Sequence, residues 1–170
     1  MSDKSYLSVY AKSFSWAGFF LPRETLKKCS VLYDFCRVAD NIADDNDEIE
    51  VKEKKFAEFE NEFNQKKFDN LIIKNMWGIM EEFNISIKIV QDLLAGIKSD
   101  IKEKVEINSK KDLLVYSYRV AGTVGLMMAK ILNVTKKNSL KSAIDLGIAM
   151  QLTNISRDVL EDSKNNRFYI

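Results

Sequence analysis

Residues 151–162 read Gln-Leu-Thr-Asn-Ile-Ser-Arg-Asp-Val-Leu-Glu-Asp, which sets Gln151, Asn154, Asp158 and Asp162 three, four and four apart. On an α-helix that spacing makes one continuous stripe. Leu152, Ile155 and Val159 lie beside it and are expected to be buried, so an acidic stripe runs along a core-like helix. Carboxylates in such a place are costly unless a cation or a metal offsets them. A second set lies upstream, in Tyr33-Asp-Phe-Cys-Arg-Val-Ala-Asp-Asn-Ile-Ala-Asp. Asp40 and Asp44 project from one helix face, and Tyr33 and Arg37 continue the stripe towards the N-terminus. Two such helices can bracket a central cavity. Carboxylates alone would repel a diphosphate. Mg²⁺ removes the conflict, because it takes one or two carboxylates and fills its other positions with water and phosphate oxygens. Arg37 and Arg157 can add charge-assisted hydrogen bonds to the same phosphates. A lone i, i+4 acidic pair is more often a solvated face; two, each on an otherwise apolar helix, favour the cation site.

The elements that must position these stripes are helices. The chain has 170 residues, one proline and six glycines, so long helices are scarcely interrupted. An all-α single domain with a real core is expected. Apolar residues at 46% and charged residues at 30% are ordinary for a globular protein. A net charge of +1 gives no reason to expect nucleic acid as a partner. There is no histidine, which removes histidine triads and histidine metal sites together. Any metal then has oxygen ligands, favouring Mg²⁺, Mn²⁺ or Ca²⁺ over zinc. Cys29 and Cys36 lie too far apart on one helix for a disulfide and read as reduced, buried thiols. No apolar run is long enough to span a bilayer, and Met-Ser-Asp-Lys does not resemble a signal peptide. The expected location is the cytoplasm, with peripheral contact at the inner membrane surface left open.

In order, residues 5–20 carry dense aromatics around Ser13 and Ser15 and read as a short helix ending in a turn at Leu21-Pro22. A helix over 23–44 follows, with Pro22 at its start and Glu24 suited to its dipole. Residues 44–50 read as a charged loop and 51–65 as an amphipathic helix carrying Phe56, Phe59 and Phe63. Helices over 69–83 and 86–101 read as surface-facing, and 102–109 as a charged connector. Residues 110–133 are apolar almost all round, as a buried helix should be. Gly122 and Gly125 there imply close approach of another helix or a ligand. A last long helix covers 137–161, and Asn165-Asn166 breaks it.

Ser13-Phe-Ser-Trp, Tyr33-x-Phe-Cys-Arg-x-x-Asp-x-x-x-Asp44, Tyr116-x-Tyr-x-Val-Ala-Gly-Thr-Val-Gly125 and Gln151-x-x-Asn-x-x-Arg-Asp-x-x-x-Asp162-x-x-x-x-Arg-x-Tyr169 together resemble the motifs of squalene/phytoene synthases, the head-to-head trans-prenyltransferases. The resemblance covers nearly the whole chain, in order and with matching spacing. It implies an all-α isoprenoid-synthase fold with the two aspartate-rich helices facing each other across a cavity. By position it implies Asp40 and Asp44 as the first metal and diphosphate motif, and Asn154, Asp158 and Asp162 as the second. Tyr33, Arg37, Gln151, Arg157 and Ser13 would contact or organise diphosphates. Tyr116, Val120, Ala121, Val124 and Gly125 would line the cavity. Arg167 and Tyr169 fall on the loop that folds over the site in the family.

The reaction implied joins two allylic prenyl diphosphates through a cyclopropylcarbinyl diphosphate. Loss of a proton gives phytoene from two geranylgeranyl diphosphates, the first choice here; hydride from NADPH would give squalene. Squalene, dehydrosqualene or hydroxysqualene formation is the nearest alternative, and a truncated relative that only binds prenyl diphosphate or a partner is another. Two positions depart from the family: Asn41 stands where an aspartate is frequent, and Ala11 where a serine is. The chain is also shorter than its relatives by a domain-scale segment. It is therefore expected to be the N-terminal portion of a single synthase domain, incomplete at its C-terminus. Apolar faces of the 110–133 and 137–161 helices should then be exposed.

Overall fold

A computed structural model describes residues 20–169. The residues 5–19 of the expected first helix, Ser13 among them, lie outside the described residues. Helix α1 (Arg23–Asp44) starts directly after Pro22 and buries Cys29, Leu32, Phe35, Ala39 and Ala43, a stripe at helical spacing. Asp40 and Asp44 each follow a buried alanine by one residue, which holds them at the edge of that stripe. Helix α2 (Ile49–Asn64) buries Phe56, Phe59 and Phe63 against it, with the Phe35 ring 5.4 Å from Phe59 and 5.5 Å from Phe63. Each fully buried ring contributes roughly 1.5–3 kcal/mol.

Helices α3 (Leu71–Glu82) and α4 (Ile87–Lys98) begin at side-chain caps: Asn70 Oδ1 accepts from the Ile72 N–H and Ser86 Oγ from the Lys88 N–H. The surface-facing reading of these two helices is wrong. Ile73, Met76, Trp77, Ile79 and Met80 of α3, and Val90, Leu93, Leu94 and Ile97 of α4, are buried in the main core. Their apolar residues recur at helical spacing, and the two helices close over α1 and α2. The Trp77 indole stacks on Phe63 and donates to its carbonyl at 3.0 Å.

The 102–109 connector holds a short strand β1 (Val105–Glu106). It pairs in parallel with β2 (Arg167–Phe168), Val105 opposite Arg167. Among the described residues the regular structure is otherwise helical. Helix α5 (Lys110–Ser117) is capped by Ser109 and runs into a π-helical turn over Tyr118–Gly122 before α6 (Thr123–Ile131). The expected single buried helix is thus divided, and Leu114 and Val115 on its first part are exposed. The π turn offsets the faces on either side of it. Tyr116 and Val120 join a small cluster with Val105, Ile155 and Tyr169, whereas Val124 packs on the main core.

Helix α7 (Lys137–Lys164) lies along α6 and the π turn. The contact is close: a methyl group at Gly125 would run into the Ala143 carbonyl, and one at Gly147 into that of Ala121. Along α7 only Gly147 and Ile155 are buried. Leu152 is half-buried, and Val159, expected inside, is 41% exposed because no described element covers its face. Leu146 at 62% and Leu160 at 79% exposure bear out the expected open apolar face. Asn166, at φ 55°, turns the chain into β2. Cys29 and Cys36 are free thiols, and burial pushes the Cys36 thiol up.

Candidate active site

Three helices end at one place. Asp40 and Asp44 lie in the last turns of α1, Asp158 and Asp162 in the last turns of α7, and Asp100 just past the end of α4. Together they line a cavity of about 150 Å³, with Gln151 and Asn154 from α7 and with Ile97, Ile155, Tyr116 and Tyr169 as its less polar wall. A helix C-terminus carries partial negative charge, and α1 has no basic residue in its last turn. Five carboxylates at three helix C-termini make a strongly electronegative pocket. No dipole argument favours acids there; a cation does.

Arg167 supplies part of that charge. Its Nη2 donates to Asp44 Oδ1 at 2.7 Å. Burial works against the guanidinium charge and the Asp44 carboxylate outweighs it, so the Arg167 pKa is raised. Asp40 is pushed up to about 6, first by burial and then by the Asp44 charge, with Arg37 partly offsetting both. Burial also raises Asp162. Asp158 is the exception: Arg157 beside it donates from Nε at 2.7 Å and from Nη2 at 2.6 Å, which holds its carboxyl low.

Asp100 escaped the sequence reading. It belongs to no i, i+4 acidic pair, and the one local hint is its place between buried Ile97 and Ile101. Its Oδ2 accepts from the Tyr116 hydroxyl at 2.8 Å and its Oδ1 from the Tyr169 hydroxyl at 3.2 Å. The two tyrosine rings stack with centroids 5.0 Å apart. Burial pushes Asp100 up to about 6 against those two hydrogen bonds, and it pushes both phenols up, reinforced by the Asp100 charge.

The structure thus brings together both acidic motifs, Gln151, Asn154, Tyr116, Arg167 and Tyr169. Other residues singled out from the sequence sit elsewhere. Tyr33 and Arg37 lie further back along α1, where the Arg37 charge partly offsets the rise at Asp40 and burial raises the neutral Tyr33 phenol. Arg157 faces the outer groove. Val120 packs behind Tyr116. Ala121 and Gly125 meet α7 in the close helix contact, and Val124 faces the main core. The cavity's donors are all oxygens, which suits a hard divalent ion. Among the described residues no three acidic or sulfur side chains converge tightly enough to hold one unaided, so any such ion would draw further ligands from water or a bound phosphate.

The sequence pattern of squalene/phytoene synthases matches residues 7–170. The chain belongs to the squalene/phytoene synthase family. It is 31% identical over 96% of its length to a 15-cis-phytoene synthase of Pantoea ananas. To one of Enterobacter agglomerans it is 34% identical, again over 96%. A solved dehydrosqualene synthase in complex with ligand superposes with a TM-score of 0.77 at 33% identity, covering 96% of this chain and 57% of that one. The isoprenoid-synthase fold expected from the motifs is therefore the fold observed. The chain spans 57% and 59% of the length of the two curated relatives. No described helix of this squalene/phytoene synthase family chain is long and apolar enough to cross a membrane.

Proposed function

We propose that this chain takes part in the Mg²⁺-dependent head-to-head condensation of two prenyl diphosphates, with two geranylgeranyl diphosphates giving phytoene as the preferred reaction. The observation that carries the reading is the convergence of Asp40 and Asp44 with Asn154, Asp158 and Asp162 on one electronegative cavity. The named activity of the two curated relatives supports the phytoene product over squalene, dehydrosqualene or hydroxysqualene. NADPH is required only for a squalene-type product.

Asp40, Asp44, Asp158, Asp162 and Asn154 would hold Mg²⁺, or Mn²⁺ in its place. A metal held by these residues would supply the positive charge that offsets a leaving diphosphate. Arg167 sits at the cavity beside Asp44 and can turn to the same diphosphate, whereas Arg157 in the outer groove and Arg37 further back along α1 would add charge only to a diphosphate that extends beyond the cavity. Gln151 offers an amide to the phosphate oxygens, and Tyr33 orients Arg37. The apolar residues Ile97 and Ile155 with the Tyr116–Tyr169 stack exclude water from the allylic cation and offer it ring faces. Peripheral contact with a membrane would deliver such apolar substrates.

The purified chain is to be incubated with Mg²⁺ and geranylgeranyl diphosphate, and separately with farnesyl diphosphate. A C40 hydrocarbon from the first, with diphosphate release, is expected. A C30 hydrocarbon from the second alone would move the assignment to the squalene-type reaction. No hydrocarbon from either, while a full-length relative turns over, would overturn condensation by this chain; calorimetry with the same diphosphates then tests the binding-only alternative.

A further inference from the structure

Asp100 is committed to the two tyrosines. One carboxylate oxygen takes the Tyr116 hydroxyl at 2.8 Å, the other the Tyr169 hydroxyl at 3.2 Å. The two hydroxyl oxygens are also 3.3 Å apart. Each phenol has one proton to give, and a carboxylate is the stronger acceptor than a second phenol. Both protons therefore point at Asp100, and neither lies in the contact between the two oxygens or turns into the cavity. Each phenol oxygen then keeps its lone pairs for whatever lies on the other side. The three groups are held firmly: Tyr116 and Tyr169 are buried, stacked ring on ring, and packed on Val105 and Ile155. The β1–β2 pair fixes the backbone that carries Tyr169.

We infer that Asp100 is a positioning residue: by taking both hydroxyl protons it fixes the Tyr116 and Tyr169 oxygens as a preorganised electronegative wall facing the carbocation formed in the cavity. The inference rests on the proposed condensation for its cation. Asp100 acts through the tyrosines: each of its oxygens accepts one phenol proton, and the residue belongs to neither acidic motif. Replacing its carboxylate by an amide keeps the shape, removes the charge and forces one hydrogen bond to reverse, turning a phenol proton towards the cavity. Oriented groups of this kind matter most where charge develops in a water-poor site.

The test compares two ligands of the same length on wild type, Asp100→Asn and Tyr169→Phe, with Mg²⁺ present and the fold of each variant checked by thermal melting. One ligand is geranylgeranyl thiodiphosphate, which resists ionisation. The other is an aza analogue of geranylgeranyl diphosphate, whose protonated amine mimics the allylic cation. Wild type is expected to prefer the aza analogue. Asp100→Asn should weaken the aza analogue about 30-fold and the thiodiphosphate no more than about threefold. Tyr169→Phe, which leaves Asp100 charged, should show a smaller loss of the same selective kind and serves where Asp100→Asn does not fold. A parallel assay should show kcat reduced about 100-fold with KM little changed. Equal loss of both ligands, an unchanged aza affinity in Asp100→Asn, or a wild type without preference each overturns the inference. A chain that makes no hydrocarbon refutes the proposed condensation instead, and the two-ligand comparison still decides the role of Asp100.

Discussion

The Arg167 guanidinium donates to the Asp44 carboxylate at 2.7 Å and so ties together residues 123 positions apart. The pair locks β2 to the end of the first acidic helix, beside the parallel contact between Val105 and Arg167. It also puts a protein cation among the carboxylates of the cavity.

Because Asp44 remains more than half exposed, that ion pair should contribute modestly. Arg167→Ala is expected to lower stability by about 0.5–1 kcal/mol, and Asp44→Ala added to it should cost nothing more. Urea unfolding of the four members of the double-mutant cycle measures this. Additive losses would show that the pair carries no coupling.

The carboxylates should govern binding through the metal. Asp40→Ala and Asp158→Ala are each expected to weaken Mg²⁺-dependent binding of geranylgeranyl thiodiphosphate by about tenfold or more, as charge-assisted ligands do when removed. The double substitution should abolish it. Binding that persists in the double variant, or that is the same after chelation of Mg²⁺, contradicts a metal bridge between the two motifs.

Stability without metal should fall as pH rises through the weakly acidic range. Asp40 and Asp100 have folded-state pKa values raised from 3.8 to about 6. Between those values the folded chain binds more protons than the unfolded chain, so the linkage slope is negative. The stabilisation is fully present below about pH 4 and is lost as pH rises to about 6. Each group should contribute on the order of 1–3 kcal/mol to the change, read from urea midpoints across that range. Asp40→Asn and Asp100→Asn should each flatten the profile; a profile rising over the same interval would contradict the burial of these groups. Metal binding should show the opposite trend, strengthening with pH as Asp40 ionises.

Close helix packing makes two glycines irreplaceable. Gly125→Ala and Gly147→Ala each place a methyl group against a backbone carbonyl of the facing helix, and backbone cannot move aside without separating α6 from α7. A loss of about 1–3 kcal/mol is expected for each. Gly78→Ala, whose new methyl group meets nothing within 4 Å, should instead stabilise α3 by up to about 1 kcal/mol. Thermal or urea melts of the three variants distinguish helix packing from ordinary helix propensity.

Much of the site was legible because a helix turns spacing into direction. Asp40 and Asp44, or Asn154, Asp158 and Asp162, must share a face wherever a helix forms, and the helices formed. The burial of α3 and α4 was misread for a different reason. Their apolar residues are interspersed with lysines and glutamates, and spacing alone does not say whether another helix lies across the apolar side. Val159 shows the converse error, an apolar residue at a helical position that nothing described covers. The π turn at 118–122 left no periodic signature, since one altered hydrogen-bond register changes the facing of later residues without changing their types.

The helices, the two acidic stripes and the family to which they belong follow from local propensity and from residues a few positions apart. Which charges meet depends on how the helices pack. Arg167 reaches Asp44, Asp100 takes up Tyr116 and Tyr169, and three helix C-termini point into one cavity, all through contacts between residues far apart in the chain. Such contacts are set by how whole helices pack, and the loops between them give no local pattern from which that packing can be read.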